Sequence, residues 1–311
     1  MRWFLFLLAA ALWARVTWAQ AFDAVPEKPE QGTVIKVTSD QAVSARLHGR
    51  LIKLFPQQSG PRLGLMPVPT LEKPGKYDLE FLDETGAVLH TTAITVADAY
   101  YPRENLTIAP SISTLKPSPG EQATVGKFRD EVTPERYWTE PFDLPVPGCV
   151  TSPYGSTRLH NGKLTGDFHA GIDQRGAAGT PIHPITPGVV KIVQKWNLRG
   201  GTVAIDHGQG VESIYLHMSA FQAKEGQHVT TSDVIGYIGS TGRSTGPHVH
   251  WTMYVNTVPV NPGQWMKFEE CTHPAPPPPV HHTAPKAKPT VKAPAPDPPV
   301  APGAPPAAPP Q

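Results

Sequence analysis

The chain is 311 residues long with a formal net charge of +1, so it carries no broad basic field of the kind that binds nucleic acid. Its two cysteines and 38 prolines suit an exported chain with modest cores and a polar, proline-rich extension. No apolar run reaches the roughly 20 residues that span a bilayer, so no transmembrane span is expected in the mature protein.

Residues 1–19 read as a signal peptide. An early arginine, Arg2, precedes the apolar run Trp3 to Trp13, and Thr17-Trp18-Ala19 places small residues at the cleavage positions. Arg15 interrupts the run, and no cysteine follows the small residues, so a lipoprotein signal is not indicated. The chain is therefore expected to be exported, to the periplasm or cell envelope, with the extracellular side as the alternative.

Residues 22–98 alternate apolar and polar side chains in short runs punctuated by Gly and Pro: 33–38, 50–55, 76–82 and 88–96. That pattern predicts a small antiparallel domain, an immunoglobulin-like β-sandwich. Residues 99–145 mix proline and charge around a possible short helix at 120–132 and read as a connecting segment. Residues 146–270 form the next domain. The tail, 271–311, is rich in Pro and Ala and has no aromatic residue, so it cannot bury a core and is expected to be disordered.

The chemistry concentrates in the domain at 146–270. His169 and Asp173 stand in Phe-His-Ala-Gly-Ile-Asp, and His248 and His250 in Gly-Pro-His-Val-His-Trp. A catalytic zinc takes three His, Asp or Glu ligands and keeps a fourth position open, whereas a structural zinc is closed, usually with cysteines. Neither cysteine lies near these histidines. The run Val-His-Trp-Thr-Met-Tyr-Val reads as a strand, and a His-x-His on a strand turns both rings to one face.

These residues sit in an ordered series of motifs: Ser152-Pro-Tyr-Gly-Ser-Thr-Arg158, His169-Ala-Gly-Ile-Asp173, Gly179-Thr-Pro181, Gly188-Val-Val190, Tyr215-Leu-His-Met-Ser219, and Ser244-Thr-Gly-Pro-His-Val-His250. The series resembles the lysostaphin/LytM-type zinc metallopeptidases, which cut the peptide cross-bridges of peptidoglycan. It departs from the family pattern by one extra residue before Arg158, and by His183 where the pattern has a small residue.

The resemblance implies an all-β chain whose C-terminal antiparallel peptidase domain has the duplicated hybrid motif. It implies one Zn2+ per chain, held by His169, Asp173 and His250, with His217 and His248 as unligated catalytic histidines. The expected partner is the peptide stem of peptidoglycan, cleaved by a zinc-activated water. Tyr154, Arg158 and Asn161 are expected on the substrate groove, with Trp196 and Arg199 in a nearby Gly-flanked loop. His207 is expected to be structural. A non-hydrolytic wall-binding protein that activates an amidase, and a zinc protease acting on glycine-rich peptides, are the alternatives. All five metal and catalytic positions are intact, which favours hydrolysis.

Cys149 and Cys271 bracket this domain. An even cysteine count in an exported chain predicts a disulfide between them.

Overall fold

Seven strands build the N-terminal part of the chain in this computed structural model: β1 (Phe22–Val25), β2 (Val34–Ser39), β3 (Ser44–Leu47), β4 (Arg50–Lys53), β5 (Arg62–Pro67), β6 (Gly75–Leu82) and β7 (Val88–Val96). They form two antiparallel sheets, β1-β2-β5 and β4-β3-β6-β7, which share one core of Ile35, Val37, Leu54, Leu79, Phe81 and Ile94. The structure describes residues 22–107, 109 and 114–271; the expected signal peptide and the tail from Thr272 lie outside them.

The four strands expected from alternation are present, and β1, β3 and β5 add to them. β3 and β4 pair through His48 and Gly49, whose φ values of 47° and 78° belong to the two-residue hairpin turn that matches strand twist. Four-residue strands are too short for period-two alternation to stand out.

The segment after the sandwich is not a bare connection. β8 (Arg103–Leu106) runs parallel to β10 (Thr157–His160), which pairs in turn with β11 (Lys163–Phe168). α1 (Glu121–Asp130) falls within the expected helix, and it buries Val125 and Phe128, three positions apart, against Ile192, Ala204 and Ile214. Trp138 and Phe142 enter the core of the following domain.

That domain is built on an eight-stranded antiparallel sheet of β18 (His228–Val229), β14 (Gly188–Trp196), β15 (Gly200–Gly208), β16 (Val211–Met218), β20 (His248–Val255), β12 (Ile172–Arg175) and β9 (Val150–Ser152), with β21 (Val258–Val260) beside β20. A smaller sheet joins β13 (Pro181–Ile182), β19 (Gly236–Tyr237) and β17 (Ala220–Phe221). β15 is buried at every residue, as expected of a central strand covered on both faces. One face carries Val203, Ile205, Tyr215, Val249, Trp251 and Met253 into the main core. The other carries Ala204 and Ile214 under α1.

The two cores interlock. Val34 and Leu65 of the sandwich belong to the main core of the C-terminal domain. Gln264 Nε2 donates to Val34 O at 2.7 Å, and Asn256 Nδ2 to Leu65 O at 2.7 Å. The disulfide Cys149–Cys271 forms, with Cα atoms 5.1 Å apart. Among the described residues no helix is long and apolar enough to cross a membrane.

Candidate metal centre and active site

Strand register brings the site together. In β12 and β20, Asp173 is opposite His250, and in β16 Leu216 is opposite His250 on its other side. Alternation along β20 sends Val249, Trp251 and Met253 to the core and His248, His250, Thr252 and Tyr254 to a cavity of about 330 Å³. His169 follows β11 and approaches from the side.

His217 breaks the alternation of its strand. Tyr215 faces the core, so a regular strand would send His217 there as well. Its φ of 63° is a left-handed conformation that L residues seldom adopt, and it turns the ring into the cavity beside Leu216 while Met218 enters the core.

Hydrogen bonds assign the tautomers. His169 Nδ1 donates to Pro153 O at 3.1 Å, His217 Nδ1 to Thr241 O at 2.8 Å, and His248 Nδ1 to Gly246 O at 2.8 Å. A carbonyl only accepts, so the proton is on Nδ1 and each Nε2 is bare. His250 is turned the other way: its Nε2 lies 3.1 Å from the Thr252 hydroxyl, which can donate or accept, and its Nδ1 faces Asp173 Oδ1.

His169 Nε2, His250 Nδ1 and Asp173 Oδ1 converge, with separations of 3.0, 2.7 and 3.1 Å. Burial pushes His250 down to about 4. Burial opposes ionisation of Asp173, but the charges and hydrogen bonds of His169 and His250 overcome it and hold the carboxyl well below the usual carboxylate range. Three groups able to offer a lone pair to a cation thus meet at one point. A tetrahedral zinc, with bonds of about 2.0–2.2 Å, spaces its ligand atoms roughly 3.3 Å apart, so this set accommodates that ion after small outward shifts. The same three residues form the one potential metal-holding group among the described residues.

The remaining two histidines flank the cluster. The His217 and His248 rings lie 5.0 Å apart, and His248 Nε2 is 3.8 Å from Asp173 Oδ1. Burial, then neighbouring His250 and His248, pushes His217 down to about 3, so its imidazole is neutral, with the lone pair of Nε2 free of its own proton.

The expected substrate residues divide. Tyr154 is corrected: it is only 3% exposed, and its hydroxyl bonds Pro259 O at 2.7 Å and the Thr70 hydroxyl, so it packs in the core against the sandwich. Asn161 occupies the tip of the β10–β11 hairpin at φ 51°, its N–H donating to Leu106 O, and it does not line the cavity. Arg158 lines the cavity, but its guanidinium bonds Ser152 Oγ and faces Asp173 and Glu104. Arg199 also lines it, held by Glu121, whereas Trp196 packs under α1. His207 is buried between Pro187 O and Ser213 Oγ, which makes it structural. His183 does not line the cavity.

Sequence reasoning missed Ser152, Thr241 and Thr252, which orient the histidines, and Glu104, which accepts from Ser152 Oγ at 2.7 Å. Ser and Thr residues next to a His-x-His strand were the available signal for Thr252.

Comparison with known proteins agrees with this geometry. Residues 167–262 match the model of Peptidase family M23. The DD-carboxypeptidase/endopeptidase Mpg of Neisseria meningitidis is 43% identical over 113 residues, 36% of this chain and 26% of that protein. The peptidoglycan DD-endopeptidase ShyA of Vibrio cholerae is 37% identical over 112 residues, again 36% of this chain and 26% of the relative. The match thus spans about a quarter of these relatives. A crystal structure from Pseudomonas aeruginosa assigned to peptidase M23 aligns with a TM-score of 0.59 at 27% identity, over 76% of this chain and 94% of that one. With the converging triad lying inside the matched residues, the chain carries a domain of Peptidase family M23.

Proposed function

We propose that the chain is an exported zinc-dependent endopeptidase that hydrolyses the peptide cross-bridges of peptidoglycan. The observation that carries this reading is the meeting of three potential ligand atoms and two further imidazoles, each with its Nδ1 bound to a carbonyl, in one cavity.

His169 Nε2, Asp173 Oδ1 and His250 Nδ1 would hold the zinc, which when bound supplies Lewis acidity and lowers the pKa of a water to about 7. His217 and His248 then handle the proton. A bare Nε2 takes it from the attacking water, and the resulting imidazolium returns it to the leaving amine. Their Nδ1 bonds to Thr241 O and Gly246 O keep each ring aimed throughout. While protonated, either ring also donates to the developing oxyanion.

The cavity suits an extended peptide. Leu198, Ile214, Leu216 and Tyr254 offer apolar contact, and Arg243 offers charge. Of the three arginines lining it, Arg158 and Arg199 are paired internally; Arg243 forms no ion pair among the described residues and is exposed. It is suited to a carboxylate of the peptide stem. The formed disulfide supports an oxidising compartment, and with the leader-like first 19 residues it supports the periplasm or cell envelope.

The test is mass spectrometry of cross-linked peptidoglycan after incubation with mature protein, with and without a chelator and with His217→Ala alongside. Chelator-sensitive loss of cross-linked dimers identifies the endopeptidase. Unchanged dimers with metal bound would instead favour a wall-binding activator.

A further inference from the structure

Glu121 opens α1 and is fully buried, yet it is a carboxylate. Burying such a group is costly unless hydrogen bonds compensate, and here they do. Its oxygens accept from Arg199 N at 3.1 Å, Arg199 Nη1 at 2.9 Å, Leu198 N at 3.4 Å and Ser118 N at 2.8 Å. Ser118 and Glu121 have the spacing of a capping box, but the Ser118 hydroxyl instead accepts from Asn197 N at 2.8 Å. Gln122 Oε1 accepts from Arg199 Nη2 at 3.0 Å. The start of α1 therefore grips the Asn197–Arg199 turn through both backbone and side chain.

That turn holds a catalytic histidine. Arg199 O accepts from His217 N at 3.1 Å. Leu198 O accepts from Arg243 N at 2.8 Å, which ties in the loop that carries Thr241. Thr241 O accepts a hydrogen bond from His217 Nδ1, and Thr241 Oγ1 accepts from Gly201 N and donates to Met218 O. There is no slack in this contact: a Cβ on Gly200 would clash with Thr241 O. His217 has a left-handed φ of 63°, a conformation that persists only when its surroundings over-determine it. The bond to Arg199 O is one of those constraints, and Glu121 places Arg199.

We propose that Glu121, outside the residues matched by the family, is a positioning residue that sets His217 for proton transfer. The catalytic unit of this chain thus begins in the connecting segment. The metal ligands lie on β12, on β20 and after β11, so Glu121 governs His217 without governing the metal. This rests on the endopeptidase reading, and the test separates the two.

Glu121→Gln and Glu121→Ala are made in the mature chain and loaded with zinc or cobalt. Expected is a fall in kcat of about ten- to a hundredfold, the worth of lost hydrogen bonds to a charged group, with KM within about twofold and the cobalt absorption spectrum unchanged. In protein labelled with 15N-histidine, the Nδ1–H resonance of His217, identified by its loss in His217→Ala, should shift in both variants. This resonance needs no turnover. If wild type proves inactive on peptidoglycan, it still reports whether Glu121 places His217. An unmoved resonance in folded Glu121→Gln overturns the proposal. So does an unchanged kcat, or a kcat loss that tracks loss of the cobalt spectrum. If Glu121→Ala does not fold, Glu121→Gln, which keeps an acceptor oxygen and the shape, decides.

Discussion

Arg158 Nη2 lies 3.5 Å from Asp173 Oδ2, while Oδ1 of the same carboxylate faces His169 and His250. The arginine therefore holds the back of a carboxylate proposed to bind the metal. Glu104, on β8, is 3.5 Å from its Nε and shares Ser152 with it. Outer partners of this sort typically contribute ten- to a hundredfold, roughly, in metal affinity. Arg158→Ala should weaken zinc binding by about that factor, with activity restored at saturating zinc; competition against a chromogenic chelator measures it.

Ligands and proton carriers should separate by metal content. Asp173→Ala and His250→Ala should lose both metal and activity, because each removes one of three converging atoms. His217→Ala should keep its metal and lose about a hundred- to ten-thousandfold in kcat, the span of general acid–base catalysis. Elemental analysis beside kinetics distinguishes the two classes, and metal retention in His250→Ala would refute the ligand set.

The candidate site was legible where chemistry is concentrated in short motifs. His169 and Asp173 are four apart and His248 and His250 two apart, and register then places Asp173 and His250 side by side. What supports them was not legible, because it acts across long stretches of chain: Glu121 and Arg199 are 78 residues apart, Glu104 and Ser152 are 48 apart. No local pattern reports such pairs. Tyr154 misled for a related reason. An aromatic ahead of a ligand looks like a groove wall until the sandwich residue Thr70 is found on its hydroxyl.

Glu212 lies opposite Asp206 in the β15–β16 register, and neither of its carboxyl oxygens has a hydrogen-bond partner among the described residues. Burial, then Asp206, pushes it up to about 10 from an ordinary 4.5. The folded chain thus keeps a proton that the unfolded chain releases, and stability declines as pH rises from 4.5 toward 10. Glu212→Gln should remove that decline. Melting curves should show a higher Tm than wild type at neutral pH, a gap that widens with pH and closes in acid.

Arg243→Ala should act on the substrate rather than on the metal. With a peptide carrying free carboxylates, kcat/KM should fall about ten- to a hundredfold, the usual worth of a charge-assisted hydrogen bond. With the same peptide amidated, wild type and variant should agree. Equal losses on both would show that Arg243 acts by shaping its loop.

The disulfide closes a sequence separation of 122. Reduction should destabilise the protein by about 4 to 5 kcal/mol in the chain-entropy account of long loops. Denaturant titration with and without reductant checks it, and coincident curves would contradict it.

Val34 and Leu65 sit in the core of the neighbouring domain, and that has a consequence for swapping parts. Cutting the chain near residue 99 to transplant the peptidase would pull both side chains out of a packed interior and orphan Gln264 and Asn256, which bond their carbonyls. A graft that works would carry the β2 and β5 strands with it, or replace what they cover by polar residues. For any such transplant, the sandwich and the C-terminal domain count as a single part.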